Sequence, residues 1–400
     1  MVNATYRLYR NAYSGLSREM WWLALVMFIN RSGTMVIPFL TVYLTTKGYS
    51  LAEAGYVMGA FGTGAILGGY LGGIFTDRFG HFYVQVISLF MNGILFFVLG
   101  QMQGIFETTV CIFILSTIGE AFRPANSAAI AAYSNETNRT RCYSLNRLAI
   151  NLGWAFGPAI GGMLASRSYG LLFLVDGLTC MGAAILLYFL FKPSQGKRVI
   201  RKDAGQGKIS SAYKDKPFLA GMVLIFLVGV CFFQMFSIIP VFYKEKVLMN
   251  ETAIGWTLAM NGLVIAIFEM VLVYKLENRR TALSYMMTGA VLIGLSFLIL
   301  NISPLLMVVA FSMLVVTLGE MLLFPFMNNF WVKRSNAHNR GQYAAVYTMS
   351  FSAAIVLAPT VASQIATHAG FHALWFFDFV LCCMAGFGFY YLKKRLEKHE

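Results

Sequence analysis

Apolar stretches of about twenty residues alternate with short polar ones along almost the whole chain. They predict spans near residues 21–44, 52–75, 83–101, 107–132, 143–165, 170–191, 218–243, 253–275, 282–301, 304–332, 341–366 and 371–392. As α-helices, runs of this length rise far enough to cross the ~30 Å hydrocarbon layer of a bilayer. The tenth and eleventh are more polar than the others and are recognised through their partners in an internal repeat. The resulting expectation is an all-α membrane protein of twelve transmembrane helices, six in each half.

The repeat has a period of about half the chain. Thr117, Gly119, Glu120 and Pro124 return as Thr317, Gly319, Glu320 and Pro325. Tyr143, Pro158, Pro38, Gly55, Gly62 and Asp176 return in the same manner as Tyr343, Pro359, Pro240, Gly255, Gly262 and Asp378. Matches in one order at a nearly constant offset imply two homologous, pseudo-symmetric halves. Such halves are a common plan for transporters, because moving one half against the other exposes a midplane site to each side in turn. The expected division is an N-terminal six-helix half at 1–191, a cytoplasmic linker at 192–217 and a C-terminal six-helix half at 218–400. The linker is basic and contains Gly, Ser and Pro, which suits a tether or a helix lying on the inner surface.

Composition agrees with this pattern: 58% of the residues are hydrophobic, 12% are charged, and mean hydropathy is +0.66. A net charge of +14 could point to nucleic acid, but its placement does not. With both termini cytoplasmic, 25 of the 31 basic residues fall in inner segments, and only Lys47, Arg167, Lys244 and Lys246 fall in outer loops. That asymmetry is the positive-inside rule, so the expectation is a multi-pass membrane protein with both termini cytoplasmic, a lipid partner and no nucleic acid. The first apolar run is a full span, so no cleaved signal is expected. The cysteines Cys111, Cys142, Cys180, Cys231, Cys382 and Cys383 mostly lie in apolar spans without metal or haem spacing, and read as small core residues. No nucleophile arrangement, metal-ligand cluster or phosphate loop appears, so neither an enzyme nor a cofactor is expected.

Between the second and third spans the chain reads Gly73, Ile74, Phe75, Thr76, Asp77, Arg78, Phe79, Gly80, His81. A glycine, an Asp-Arg pair and a second glycine at this place resemble the loop signature of the major facilitator superfamily. The resemblance implies a gating motif at Gly73, Asp77, Arg78 and Gly80, in which the aspartate holds the inner gate through helix ends. His81 and Phe82 stand where the signature has a basic run, and the second half keeps only a degenerate copy at 275–280. In the fifth span, Gly153, Gly157, Pro158, Gly161 and Gly162 resemble the motif of bacterial proton-coupled drug antiporters of the same superfamily, which implies export and a place in a bacterial inner membrane. Read from the residues alone, this string is a helix-packing face, since small residues let helices approach closely and proline bends its span. The resemblance departs early in the fourth span, where Cys111, Ile112 and Phe113 replace the arginine those antiporters carry.

Charged groups inside spans carry the strongest signal, because hydrocarbon penalises them by at least a few kcal/mol. Arg31, Glu120, Arg123 and Glu320 fall in one layer near the midplane by their depth along each span. The superfamily resemblance puts the first, fourth, seventh and tenth spans around a central cavity, and hence all four groups on the substrate path. The other reading is an ion-pair network between helices. Glu120 and Arg123, three apart on one helical face, can pair within the helix. Glu320 has no basic residue nearer in sequence than Lys333, which makes it the first candidate for proton coupling, with Glu120 second. Asn30, Asn126, Gln234 and Asn328 add polar atoms at or near the same level, as cavity groups or as helix–helix hydrogen bonds. Trp154, Phe122 and Phe236 are candidates for an apolar wall. Asp176 and Asp378, towards the outer ends of the last span of each half, read as caps or loop anchors.

The reading is therefore a monomeric secondary transporter that moves a small organic molecule by alternating access, with proton-coupled efflux expected. The alternatives are a proton-coupled importer of peptides or organic anions and a non-transporting receptor, against which the short outer loops and the lack of an appended soluble domain argue.

Overall fold

A computed structural model describes residues 15–135, 138–191, 211–276, 279–335 and 339–397. The N-terminal arm to residue 14, most of the expected linker and part of the degenerate motif at 275–280 lie outside the described residues. Among those described there is no β-strand, and every expected span is helical. The first span is two helices, α1 (Arg18–Ser32) and α2 (Val36–Thr46), followed by α3 (Leu51–Phe79) and α4 (His81–Gln101). The fourth span is likewise divided, into α5 (Ile105–Glu120) and α6 (Phe122–Tyr133), and α7 (Arg139–Ala165) and α8 (Gly170–Leu190) follow. The seventh span comprises α9 (Lys216–Phe232), a 3-10 turn (Phe233–Phe236) and α10 (Ile238–Glu245). Then come α11 (Glu251–Leu276), α12 (Ala282–Leu300), α13 (Leu306–Arg334) and α14 (Arg340–Glu397). The last of these is two spans joined at Gly370, whose φ of 82° and ψ of 169° are not helical.

The breaks have local causes. Pro124 lacks the N–H that would bond the Glu120 carbonyl four residues earlier, and α5 stops at Glu120. In the second half the proline sits one residue further on, at Pro325, and α13 runs on through it. The repeat partners Pro38 and Pro240 both occupy the first turn of the helix that restarts after a break, where a backbone N–H has no intrahelical partner anyway.

The chain divides into two compact units, Met1–Val36 with Thr63–Arg198, and Ile37–Gly62 with Val199–Glu400. In the first unit α1 packs on α7 and α8, and α4 packs on α5, α6 and α8. In the second, α9 packs on α14, and α12 packs on α13 and α14. Third span on sixth and third on fourth thus recur as ninth on twelfth and ninth on tenth. Met20, Leu23, Phe82, Phe122, Leu145 and Leu187 belong to the first unit's core, and Trp375, enclosed by Phe242, Phe297 and Phe371, is central to that of the second. Many large apolar side chains stay exposed at the periphery, among them Tyr70, Ile87, Phe189 and Phe387, as expected of a lipid-facing surface.

In lipid, apolar burial alone does not hold helices together, and close backbone contact does much of that work. On α3, a Cβ added at Gly64, Gly68 or Gly72 would run into Phe113–Ala121 of the fourth span. Nearer its start, Gly55, Gly59 and Gly62 face Ser363, Thr360 and Val356 of α14 in the same way, within the second unit.

Candidate transport and coupling site

In the first unit the break after α1 is the organising feature. Gly33 ends α1, and a Cβ there would collide with the Thr179 side chain of α8. Asp176, also on α8, accepts hydrogen bonds from the backbone N–H groups of Met35 (3.0 Å to Oδ2, 3.1 Å to Oδ1) and Val36 (2.8 Å to Oδ2). A carboxylate at the start of α2 satisfies orphan donors and complements the helix dipole. The capping role expected for Asp176 is the one it plays.

The antiporter-type glycines meet this same break. A Cβ at Gly153 would collide with the Arg31 side chain and would sit 2.9 Å from the Arg31 carbonyl carbon, and one at Gly157 would sit 3.2 Å from the Ser32 carbonyl oxygen. Pro158, Gly161 and Gly162 continue the buried face of α7. The motif therefore brings α7 against the backbone that carries Arg31.

Arg31 lies within electrostatic reach of Glu120, Arg123 and Cys180. Its Nε is buried without a hydrogen-bond partner among the described residues. Glu120 and Arg123 form the intrahelical-spaced pair across the Ala121 kink at 2.8 Å, with Glu120 17% and Arg123 61% exposed. Asn30 donates to the Cys180 thiol at 3.8 Å. Two guanidinium groups thus bear on one carboxylate, leaving this cluster net positive.

In the second unit, Glu320 accepts a hydrogen bond from Asn261 of α11 at 2.9 Å, and Asn261 also donates to Thr317 at 3.0 Å. From Glu320, one face of α13 continues through Phe324 and Trp331. These join a run of ring contacts: Phe232–Phe324 at 4.8 Å, Phe324–Phe351 at 5.5 Å, Tyr347–Phe351 at 5.2 Å and Trp331–Tyr347, stacked, at 5.8 Å. An ionisable group held by an amide at the head of an aromatic face can exchange a proton beside a surface suited to flat apolar molecules.

The other expected cavity residues have different surroundings. Asn126 is buried, donating to Asn146 at 3.1 Å and accepting from Gln85 at 3.4 Å, a polar ladder through α4, α6 and α7. Gln234 is buried and donates to Asp378 at 2.9 Å. Asn328 is exposed and accepts from the Trp331 indole at 3.3 Å. Phe122 lies in the core. Of the gating residues, Gly73 and Asp77 and Arg78 fall in the last turns of α3 rather than in a loop, and only Gly80, at φ 84°, makes the turn into α4. Asp77 is exposed, and Arg78 lies over the Phe79 ring at 5.3 Å.

Two groups escape sequence reading. Asn261, an amide in an apolar span beside Gly262, had intramembrane polarity as its only signal. Asp215 caps α9 at Phe218 N–H (3.1 Å), takes a two-pronged contact from Arg334 (2.8 and 2.9 Å) and accepts from the Tyr343 hydroxyl at 2.8 Å. Burial pushes its carboxyl up, but the hydrogen bonds from Arg334, Tyr343 and Phe218 with the Arg334 charge together bring it below the ordinary carboxylate value. Among the described residues no group of three or more His, Cys, Asp or Glu is arranged to hold a metal.

The family model described as Major Facilitator Superfamily matches residues 20–359 and again 249–400. An MFS-type transporter of Bacillus subtilis, YqjV, is 27% identical over 319 residues, covering 77% of each chain. A Na(+), Li(+), K(+)/H(+) antiporter of Planococcus maritimus is 24% identical over 364 residues, covering 83% of this chain and 85% of its own. The multidrug efflux pump Tap of Mycobacterium tuberculosis is 24% identical over 371 residues, covering 88% and 87%. The fold matches the crystal structure of a POT family transporter with a TM-score of 0.80 at 14% identity, over 96% of this chain and 98% of that one. Broken first and seventh spans, repeated helix pairings and these matches agree: the chain is a membrane transporter, not an enzyme, and belongs to the Major Facilitator Superfamily.

Proposed function

We propose that this transporter exports a small organic molecule in exchange for protons, by alternating access of the six-helix halves at 1–191 and 218–400. The carrying observation is Glu320: a partly buried carboxylate, bonded by Asn261, at the head of the aromatic face that runs through Phe324 and Trp331. A proton and an apolar aromatic substrate competing for one locale is the simplest basis for antiport, since binding of either then disfavours the other. Antiport and efflux are also the activities by which two of the relatives, the Planococcus maritimus antiporter and Tap, are named. Glu120, paired with Arg123 and near Arg31, serves substrate affinity, and Asp77 at the end of α3 serves the inner gate. Termini and linker face the cytoplasm, and one chain suffices.

The net-positive cluster of Arg31 and Arg123 around Glu120 favours a second reading, uptake of an organic anion with protons. The test is transport by the purified chain in liposomes with an imposed proton gradient. Export coupling predicts that aromatic drug-like dyes move against the direction of proton flow, whereas the second reading predicts that anions move with it. Under export coupling, Glu320→Gln should reduce gradient-driven transport at least about tenfold, a coupling loss of ~1.4 kcal/mol or more, while leaving gradient-free exchange. Glu120→Gln should instead weaken substrate affinity or expression. Full gradient-driven transport in Glu320→Gln excludes it as the carrier.

A further inference from the structure

Asp176 and Asp378 are repeat partners, each placed beside the break in its half's first span, yet their hydrogen bonding differs. Asp176 receives three backbone N–H contacts and is complete as a carboxylate. Asp378 is wholly buried and receives one side-chain hydrogen bond, from Gln234 Nε2 to its Oδ1 at 2.9 Å. Its Oδ2 has no partner, and neither has the Oε1 of Gln234. The amide spends its remaining donor on the Val230 carbonyl at 3.4 Å. Two adjacent side chains thus each keep an unused oxygen away from solvent, and the further donor that bears on the Asp378 carboxyl is the weak S–H of Cys231.

Among the described residues, the groups that act on the Asp378 carboxyl include no cation to balance a charge. From α9 the facing titratable group is Cys231, whose thiol lies 3.8 Å from the Asp378 carbonyl oxygen. From α14 itself it is Cys382, one turn along, and from α12 the neighbours near that turn are Gly294 and Phe297, which do not titrate. Two orphan oxygens with no N–H or O–H directed at either need one hydrogen between them. A carboxylic acid supplies it: with the proton on Oδ2, Asp378 donates to Gln234 Oε1 while Gln234 Nε2 donates to Oδ1, a reciprocal acid–amide pair. Two free oxygens suit a proton better than a hard metal cation, which takes six or more oxygen ligands.

We propose that Asp378 and Gln234 form a proton-binding site at the break of the seventh span, occupied in this conformation. The proton arrives from water as H⁺ and leaves as H⁺, with no other bond made or broken. Its release leaves a bare carboxylate facing the 3-10 turn Phe233–Phe236 and so ties protonation to the geometry of the broken span. Occupancy of the site stands on these contacts alone, whereas its part in transport rests on the proton-coupled reading above.

The experiment is infrared spectroscopy of the full chain in liposomes, in H₂O and D₂O. Wild type should show a protonated-carboxyl C=O band that is lost in Asp378→Asn and retained in Glu320→Gln. Asparagine offers an N–H where the acid offers O–H, so this variant should fold. Should it not, Gln234→Leu removes the acceptor and should move the same band to higher frequency. A band that Asp378→Asn leaves in place, or that Gln234→Leu leaves unmoved, overturns the assignment. In transport, Asp378→Asn should lower gradient-driven flux about tenfold and spare exchange. Wild-type flux through Asp378→Asn overturns the coupling role. A wild-type chain indifferent to the gradient overturns the proton-coupled reading, and the infrared band then decides the site by itself.

Discussion

Asp215 accepts four hydrogen bonds on its two oxygens, from partners in three spans: Phe218 N–H at the start of the seventh, Arg334 at the end of the tenth and Tyr343 at the start of the eleventh. Its counterpart Ser17 caps α1 and donates across to the Tyr133 carbonyl at 3.1 Å, the same link between first and fourth spans without the charge. With Asp215 10% and Arg334 27% exposed, the pair falls between surface and buried regimes. Asp215→Ala should cost on the order of 2 kcal/mol, under the ~3–5 kcal/mol for breaking a fully buried pair, and should appear as a drop in melting temperature. Because the folded carboxyl titrates below its ordinary value, the contribution is present above about pH 4 and is lost as pH falls through the folded value. Melting temperature should therefore decline with acidification below that range, and Asp215→Asn should flatten the decline. At this scale the sequence was partly legible. The spacing of Glu120 and Arg123 announced their pair, since partners on one helix are set by the helical repeat. Asp215 lies more than a hundred residues from both Arg334 and Tyr343, and spacing along a chain says nothing about such a meeting.

At the scale of the helix, glycine content misleads unless each residue is placed. On α3, Gly68 faces the Thr117 carbonyl, with backbone and not a flexible tip as the obstacle, whereas the next residue, Gly69, has open space where its Cβ would be. Gly68→Ala should force α3 away from the fourth span and cost about 1–3 kcal/mol, seen as a lower melting temperature. Gly69→Ala should be neutral or stabilising by up to ~1 kcal/mol, since alanine is the better helix former. Opposite shifts from adjacent residues would establish the packing face, and equal shifts would refute it. The existence of each span was legible from hydropathy, because a bilayer demands about twenty apolar residues. The interruptions in spans one and seven were present only as Pro38 and Pro240, prolines whose meaning depends on where a helix restarts. The gating signature was legible as a motif but not as a shape, since α3 continues through Asp77 and turns only at Gly80.

For the whole molecule, the internal repeat and the charge asymmetry speak to different things. The repeat is visible again in the recurring helix pairings of the two units, because homologous halves inherit their contacts along with their residues. The charge asymmetry predicts orientation: a cysteine replacing Lys47 or Lys244 should react with an impermeant thiol reagent added outside intact cells, and one replacing Lys202 should not. The reverse pattern would invert every depth assigned to Arg31, Glu120, Arg123 and Glu320.

That experiment is simplified by the native thiols. Cys111, Cys142, Cys180, Cys231 and Cys382 are buried, Cys383 is intermediate, and all are unpaired. A water-soluble maleimide needs a solvated thiolate, which none of the five buried groups offers in the folded state. The natural chain thus has a low labelling background, so a reporter thiol can be introduced without first stripping six residues from the helix interfaces they fill. Conversely, uptake of label by the unaltered chain becomes a measure of unfolding, a stability assay that needs neither substrate nor gradient.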